Sequence, residues 1–264
     1  MDLGIAGKRA LVTGSTAGIG FATAQVLARE GARVVVNGRT QARVDAAVAA
    51  IRAGVPGAHI GGVAADLGTA AGCEAVIDEV PVLDILVNNV GIFEVRPFEE
   101  ITDADWLRFF EVNVLSGVRL ARHYLPIMRT ENWGRVVFVS SESAVQIPTE
   151  MIHYGMTKTA QLAIARGLAE TLVGTDVTVN SVLAGPTLSE GVGTFVADLA
   201  AAQGVDVANV EREFFSSARP SSVIRRFASP DEVAAMIAYI CSALASATTG
   251  AALRVDGGVV RSIV

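Results

Sequence analysis

The sequence predicts a doubly wound α/β fold, a single domain built on a seven-stranded parallel sheet, and three observations predict it. Short apolar runs alternate with helix-like segments from one end of the chain to the other, the pattern of repeated strand–crossover–strand units. Those runs are nearly continuous in Val, Ile and Leu, as in strands covered by helices on both faces. The composition supplies the third: 51% of the 264 residues are hydrophobic and only 18% charged, and a chain of this size can bury about 75% of its unfolded surface.

The elements follow in order. A first strand at Ala10 to Thr13 leads into a helix from Gly18 to Glu30, and Arg33 to Asn37 makes the second strand before a helix from Gln41 to Ala53. His59 to Ala64 and Leu83 to Asn88 are strands three and four, separated by a helix from Ala70 to Glu79. One long helix, Ala104 to Arg129, then precedes the fifth strand at Arg135 to Ser140. A helix from Tyr154 to Val173 leads to the sixth strand, Val177 to Val182. The uncharged run Val233 to Leu253 has membrane-spanning length, yet Ser242, Ser246, Thr248, Thr249 and Gly250 fill its second half and no basic cluster follows it. It reads as the end of a buried helix, Pro230 to Leu244, then a turn and a seventh strand, Ala251 to Val255.

One connection stands apart. Pro186 to Ser229 is far longer than its neighbours, and long connections inside compact domains are usually functional or disordered. Val192, Phe195, Val196 and Leu199 fall on one helical face, with Phe214 and Phe215 as a second apolar spot. The expectation is a substrate lid over residues 186–229, with an oligomer contact as the alternative.

Charge and cysteine usage narrow the function. A net charge of -6 offers no broad basic field for a polyanion, so nucleic acid is not expected as a partner. Cys73 and Cys241 are too few and too far apart for a disulfide framework or a structural zinc site. His59, His123 and His153 have no ligand spacing, so no metal is expected. Asp2, Lys8 and Arg9 stand where an export signal would need an apolar stretch. A cytoplasmic protein without a membrane anchor is the expectation.

Directly after the first strand the chain reads Thr13-Gly14-Ser15-Thr16-Ala17-Gly18-Ile19-Gly20 and turns into a helix. Glycines there permit a tight turn and a close approach to a pyrophosphate, while the helix N-terminus presents free N–H groups and partial positive charge. By itself the spacing is also that of an ordinary glycine-rich turn. Past the second strand, where a carboxylate would accept from a ribose 2′-hydroxyl and repel a 2′-phosphate, the chain reads Val36-Asn37-Gly38-Arg39-Thr40. Arg39 offers a forked, permanent cation instead, so NADP(H) is favoured over NAD(H). Tyr154 and Lys158, four apart at a helix start, share one face. An ammonium beside a phenol favours the phenolate, which makes the pair a candidate acid/base.

The loop, Asn88-Asn89-Val90-Gly91 after the fourth strand, Tyr154-Gly155-Met156-Thr157-Lys158 and Arg254-Val255-Asp256-Gly257-Gly258 stand in that order. Together they resemble the NAD(P)-dependent short-chain dehydrogenases/reductases, over essentially the whole chain. The resemblance implies a Rossmann-type fold and a tetrad of Asn113, Ser141, Tyr154 and Lys158. Ser141 would hydrogen-bond a substrate carbonyl, Tyr154 would exchange its proton, Lys158 would tune the phenol and grip the nicotinamide ribose, and Asn113 would hold a relay water. It implies cofactor contacts at Gly14, Thr16, Ala17, Ile19, Gly20, Asp66, Leu67, Asn89, Gly91, Tyr154, Lys158, Gly185 and Thr187, with Ser189 as the alternative to Thr187. The function implied is interconversion of a ketone and a secondary alcohol. A 3-oxoacyl carrier-protein reductase and a dinucleotide-sensing binding module are the alternatives.

Pocket walls are expected at Val145, Gln146, Ile147, Pro148, Met151, Phe214 and Phe215, mainly apolar with Glu150 nearby, which suits a hydrophobic or mixed carbonyl compound. Arg119, Arg122 and Arg129 fall at helix spacings on one stripe, as acyl-carrier docking needs, or as a solvated or subunit-facing stripe. The resemblance also implies a homotetramer.

Overall fold

A computed structural model describes residues 2–263, with the side chains of Phe195, Leu199 and Gln203 outside the described part. Seven strands form one parallel sheet: β1 (Arg9–Val12), β2 (Arg33–Gly38), β3 (Ile60–Ala64), β4 (Ile85–Asn88), β5 (Gly134–Ser141), β6 (Val177–Ala184) and β7 (Ala252–Val255). Their spatial order is β3-β2-β1-β4-β5-β6-β7. The winding therefore reverses between β1 and β4, and the crevice at the carboxyl ends of those strands is where doubly wound sheets take ligands.

Alternation along each strand divides the core in two. Ala10, Val12, Val34, Val36, Ile85 and Val87 face one layer, formed by α1 (Gly18–Arg29), α2 (Gln41–Gly54) and α9 (Pro230–Ile240). Leu11, Leu86, Val136 and Phe138 face the other, formed by α3 (Ala70–Glu79), α5 (Ser116–Thr130) and α6 (Ile152–Glu170). Each such fully buried aliphatic side chain stabilises the fold by about 1.5–3 kcal/mol before chain entropy is subtracted, and this explains why the strands lack the polar alternation of a half-exposed sheet. The uncharged run ends as expected: α9 is capped by a reciprocal Ser229–Glu232 box with Pro230 in its first turn, a short turn follows, and β7 closes the sheet. No helix among the described residues is long and apolar enough to cross a membrane. Both cysteines are buried and unpaired, and burial pushes the Cys241 thiol up to about 12.

Two expectations gain detail. The long helix from Ala104 to Arg129 is three pieces: α4 (Asp103–Phe110), one wide turn at Glu111–Leu115 with hydrogen bonds five residues apart, and α5. The wide turn carries Asn113, whose side chain is bonded to Ile92 and Thr157 outside the helix. Periodicity does not register such a bulge because the apolar face continues through it. The 186–229 connection contains two helices, α7 (Glu190–Gln203) and α8 (Val207–Ser217), with a small core of their own in Val196, Ala200, Val210, Phe215 and Phe227. Val192 packs against this core, as its place on the expected face requires; Phe195 and Leu199 lie outside the described side chains. Phe215 is not a pocket wall. Phe215 is buried, and Phe214 stacks on Phe227 with ring centroids 5.1 Å apart.

Candidate active site

The glycine loop has the geometry of an anion cradle. Gly14 and Gly18 take left-handed backbone, with φ of 59° and 57°, where a side chain would be strained. A Cβ on Gly20 would stand 2.5 Å from both Asn89 Nδ2 and Gly14 O, so helix, loop and β4 meet with no room to spare. The α1 N-terminus has no side-chain cap and no acidic residue in its first turn, leaving its N–H groups and dipole for an anion. Asn89 Nδ2 donates to the Thr13 and Gly14 carbonyls at 3.0 Å; its amide N–H groups brace the loop. These features fit a dinucleotide's pyrophosphate.

Around the adenosine side, Thr16 lies so close to the end of β2 that a Cβ on Gly38 would be 2.4 Å from Thr16 Cγ2. Ala17 is the cap residue of α1, and Ile19 packs against the core. Arg39 is exposed. Asp66 is exposed too, and one oxygen accepts from Gly68 N at 3.0 Å. The side chain of Leu67 is buried in the core. Gly91 looks onto the reactive cluster: a Cβ there would sit 3.3 Å from Lys158 Nζ and 3.6 Å from Asn113 Oδ1.

That cluster is assembled from three elements. β5 ends at Ser141, the start of α6 carries Tyr154 and Lys158, and the wide turn between α4 and α5 carries Asn113. Lys158 Nζ lies 5.6 Å from the Tyr154 ring centroid, so the two side chains converge as their spacing requires. Burial raises the Tyr154 phenol well above its ordinary range; the Ser141 hydrogen bond opposes that rise, the Glu142 charge adds to it and Arg219 opposes it. Burial also pulls the Lys158 ammonium down to about 8. Lys158 is not among the groups that shift the phenol here. The ammonium lies by the ring, donating to Val139 O at 2.9 Å and to Gln161 Oε1 at 3.4 Å, and the phenol is held in its protonated form.

Asn113 is locked in place. Its Oδ1 accepts from Ile92 N at 2.8 Å, and its Nδ2 donates to Ile92 O at 2.9 Å and Thr157 Oγ1 at 3.0 Å. Its backbone carbonyl accepts from Gln161 Nε2 at 2.6 Å. Ser141 Oγ accepts from Ser143 N at 3.1 Å and donates to the Glu142 carboxylate. Ser140 points to α6 instead, donating to Lys158 O at 2.9 Å. His153 is buried against Phe109 and Trp106, with centroids 4.0 and 6.1 Å away, and belongs to the packing of α6.

The far wall comes from β6 and the long connection. A Cβ on Gly185 would meet Asp256 backbone at 2.6 Å, so only glycine fits beside β7's end. Thr187 is buried and spends its hydroxyl on Gly185 O at 2.9 Å. Ser189 lies against Gly18, 3.1 Å from where its Cβ would be; of the two hydroxyl residues it is Ser189 that meets the cradle. On the expected arginine stripe, Arg119 is bound to Glu111 at 2.6 Å.

Sequence reasoning missed four residues. Glu142 is buried beside Ser141 and paired with Arg219, Nε to Oε1 at 3.1 Å. Arg219 directly follows α8 and also reaches Glu150 at 3.3 Å, which ties the two-helix connection to the end of β5. Asn37 accepts from Gly14 N and donates to the Val63 and Ala65 carbonyls, each at 3.2 Å, joining the loop to β2 and β3. Gln161 bridges Lys158 and Asn113. Asn37, a polar residue ending an apolar run, carried a signal; the pairing of Arg219 with Glu142, 77 positions apart, carried none.

Comparison with known proteins agrees with this geometry. Residues 14–260 match a family model described as Enoyl-(Acyl carrier protein) reductase. The chain is 48% identical to the uncharacterized oxidoreductase YvaG of Bacillus subtilis, over the full length of both. It is 33% identical to a D-beta-hydroxybutyrate dehydrogenase of Cupriavidus necator, over 96% of this chain and 97% of that one. Among solved structures, L-sorbose reductase from Gluconobacter frateurii, complexed with NADPH and L-sorbose, superposes with a TM-score of 0.94 at 33% identity over all of both chains.

Proposed function

Since the chain belongs to the short-chain dehydrogenase/reductase family, we propose that it interconverts a ketone and a secondary alcohol with NADP(H), Tyr154 serving as general acid in the direction of reduction. The observation that carries this reading is the convergence of Lys158 Nζ on the Tyr154 ring, 5.6 Å from its centroid, with Ser141 at the end of β5 and a glycine cradle whose helix has no acidic residue in its first turn. When bound, NADP(H) supplies the hydride that adds to the carbonyl carbon. Tyr154 meets the carbonyl oxygen, and Ser141 brackets it from the other side once its hydroxyl proton turns from the Glu142 carboxylate. As negative charge grows on that oxygen, Tyr154 transfers its Oη proton to it, and the C=O π pair becomes the new O–H bond. Lys158, 5.6 Å from the ring, stabilises the phenolate left behind. Alcohol oxidation runs the same transfers backwards, with Tyr154 as base.

NADP(H) is preferred on the strength of Arg39 and the absence of a carboxylate between Asn37 and Thr40. Support also comes from the NADPH bound to the L-sorbose reductase. The substrate is a small carbonyl compound of mixed character: Val145 and Ile147 are exposed beyond Ser141, while Glu142 and Arg219 form its polar backing. The segment 186–229 acts as its lid, and a homotetramer is the assembly the resemblance implies. An acyl-carrier substrate is the second reading, favoured by the description of the matching family model and weakened by the engagement of Arg119.

The test is Tyr154→Phe, followed by NADPH consumption over a panel of ketones that includes L-sorbose and acetoacetate. NADPH binding survives while turnover falls by at least about 100-fold, the scale of a lost general acid. Retained turnover overturns the assignment. A wild-type protein that binds NADPH but is inert on the panel with either cofactor favours the sensing module.

A further inference from the structure

Lys158 is boxed in more tightly than a water-linked lysine. An ammonium has three protons to donate. One goes to Val139 O at 2.9 Å and one to Gln161 Oε1 at 3.4 Å, leaving the third for the crevice, where a Cβ on Gly91 would lie 3.3 Å away. Gln161 is itself buried, and its Nε2 donates to Asn113 O at 2.6 Å. Both ends of one carboxamide are thus spent, one on the lysine and the other on a carbonyl in the wide turn at Glu111–Leu115.

We propose that Gln161 is a positioning residue that holds Lys158 in place and, by joining its Nζ to the Asn113 carbonyl, substitutes for the relay water that the resemblance implies there. A water can accept one proton and release another, whereas a carboxamide keeps its N–H protons under ordinary conditions. Lys158 is therefore fixed as a charge at this end and exchanges protons only through its crevice-facing hydrogen. Burial is what lowers the Lys158 titration, with no charged group among the described residues contributing; Tyr154 on the same helix lies beside it, while Glu142 at the end of β5 and Arg219 from beyond α8 act on that phenol. The inference rests on the proposed role of Lys158 but is tested without turnover.

The chain makes the test direct, because Lys8 and Lys158 are its only lysines. With 13C-labelled lysine, two Cε signals report two titrations in the whole protein without cofactor. In the wild type, the Lys158 signal titrates at about 8. Gln161→Leu removes an acceptor from the charged form and moves that titration down, by about one pH unit. Gln161→Glu puts a carboxylate there and moves it up, while Lys8 stays fixed in both. A packing role alone leaves the Lys158 titration of Gln161→Leu where it was, and that result overturns the proposal, whereas Gln161→Glu serves as the control that the signal responds to a charge at this position. Should Gln161→Leu not fold, Gln161→Met, of similar length, replaces it in the comparison. Loss of turnover dependence on Tyr154 would sink the functional reading instead, and leaves this titration unaffected.

Discussion

At the residue scale, the site depends on groups whose chemistry follows from a single contact or its removal. Arg39 is exposed at the end of β2, and a forked guanidinium there is suited to a phosphate. Arg39→Ala weakens NADPH by about tenfold or more, the scale of one charge-assisted hydrogen bond, and leaves NADH nearly unchanged. Titrating both dinucleotides against the variant by fluorescence checks this, and an unchanged preference refutes the phosphate contact. Tyr154 shows why residue type and spacing were insufficient. Four positions place it beside Lys158, but the phenol's protonation is governed first by burial, which depends on everything packed around it.

At the element scale, local rules were legible where chemistry is local. The glycine loop, the apolar strands and the Ser229-Pro230 start of α9 depend on neighbours within a few positions, and the structure follows them. Gly20 is the tightest of these points. Gly20→Ala puts a methyl 2.5 Å from Asn89 Nδ2 and Gly14 O, forcing loop and α1 apart, at a cost of about 1–3 kcal/mol. A lowered Tm together with lost NADPH binding is the expected result; a variant matching the wild type in both shows that the loop has slack. The wide turn at Glu111–Leu115 was not legible, because Asn113 is drawn out of the helical pattern by Ile92 and Thr157, residues remote in the chain.

At the scale of the whole molecule, a buried ion pair joins the 186–229 connection to the end of β5. Arg219 and Glu142 expose 10% and 5% of their side chains, and removing one partner of such a pair strands the other in a medium that solvates it poorly. Arg219→Met therefore destabilises the protein by about 3 kcal/mol, and adding Glu142→Gln restores part of the loss. Thermal unfolding of the single and double variants measures both effects. An unchanged Tm in Arg219→Met shows that the pair does not anchor the 186–229 connection. The sequence by itself determined the parallel sheet, the order of its elements, the glycine cradle and the helical pairing of Tyr154 with Lys158, because each follows from hydrophobic periodicity or from residues one turn apart. Only the tertiary structure decided which form of the phenol is held, that Gln161 bridges Lys158 to Asn113, and that Arg219 closes on Glu142. Those outcomes depend on burial and on contacts between segments far apart in the chain, and neither leaves a local pattern to read.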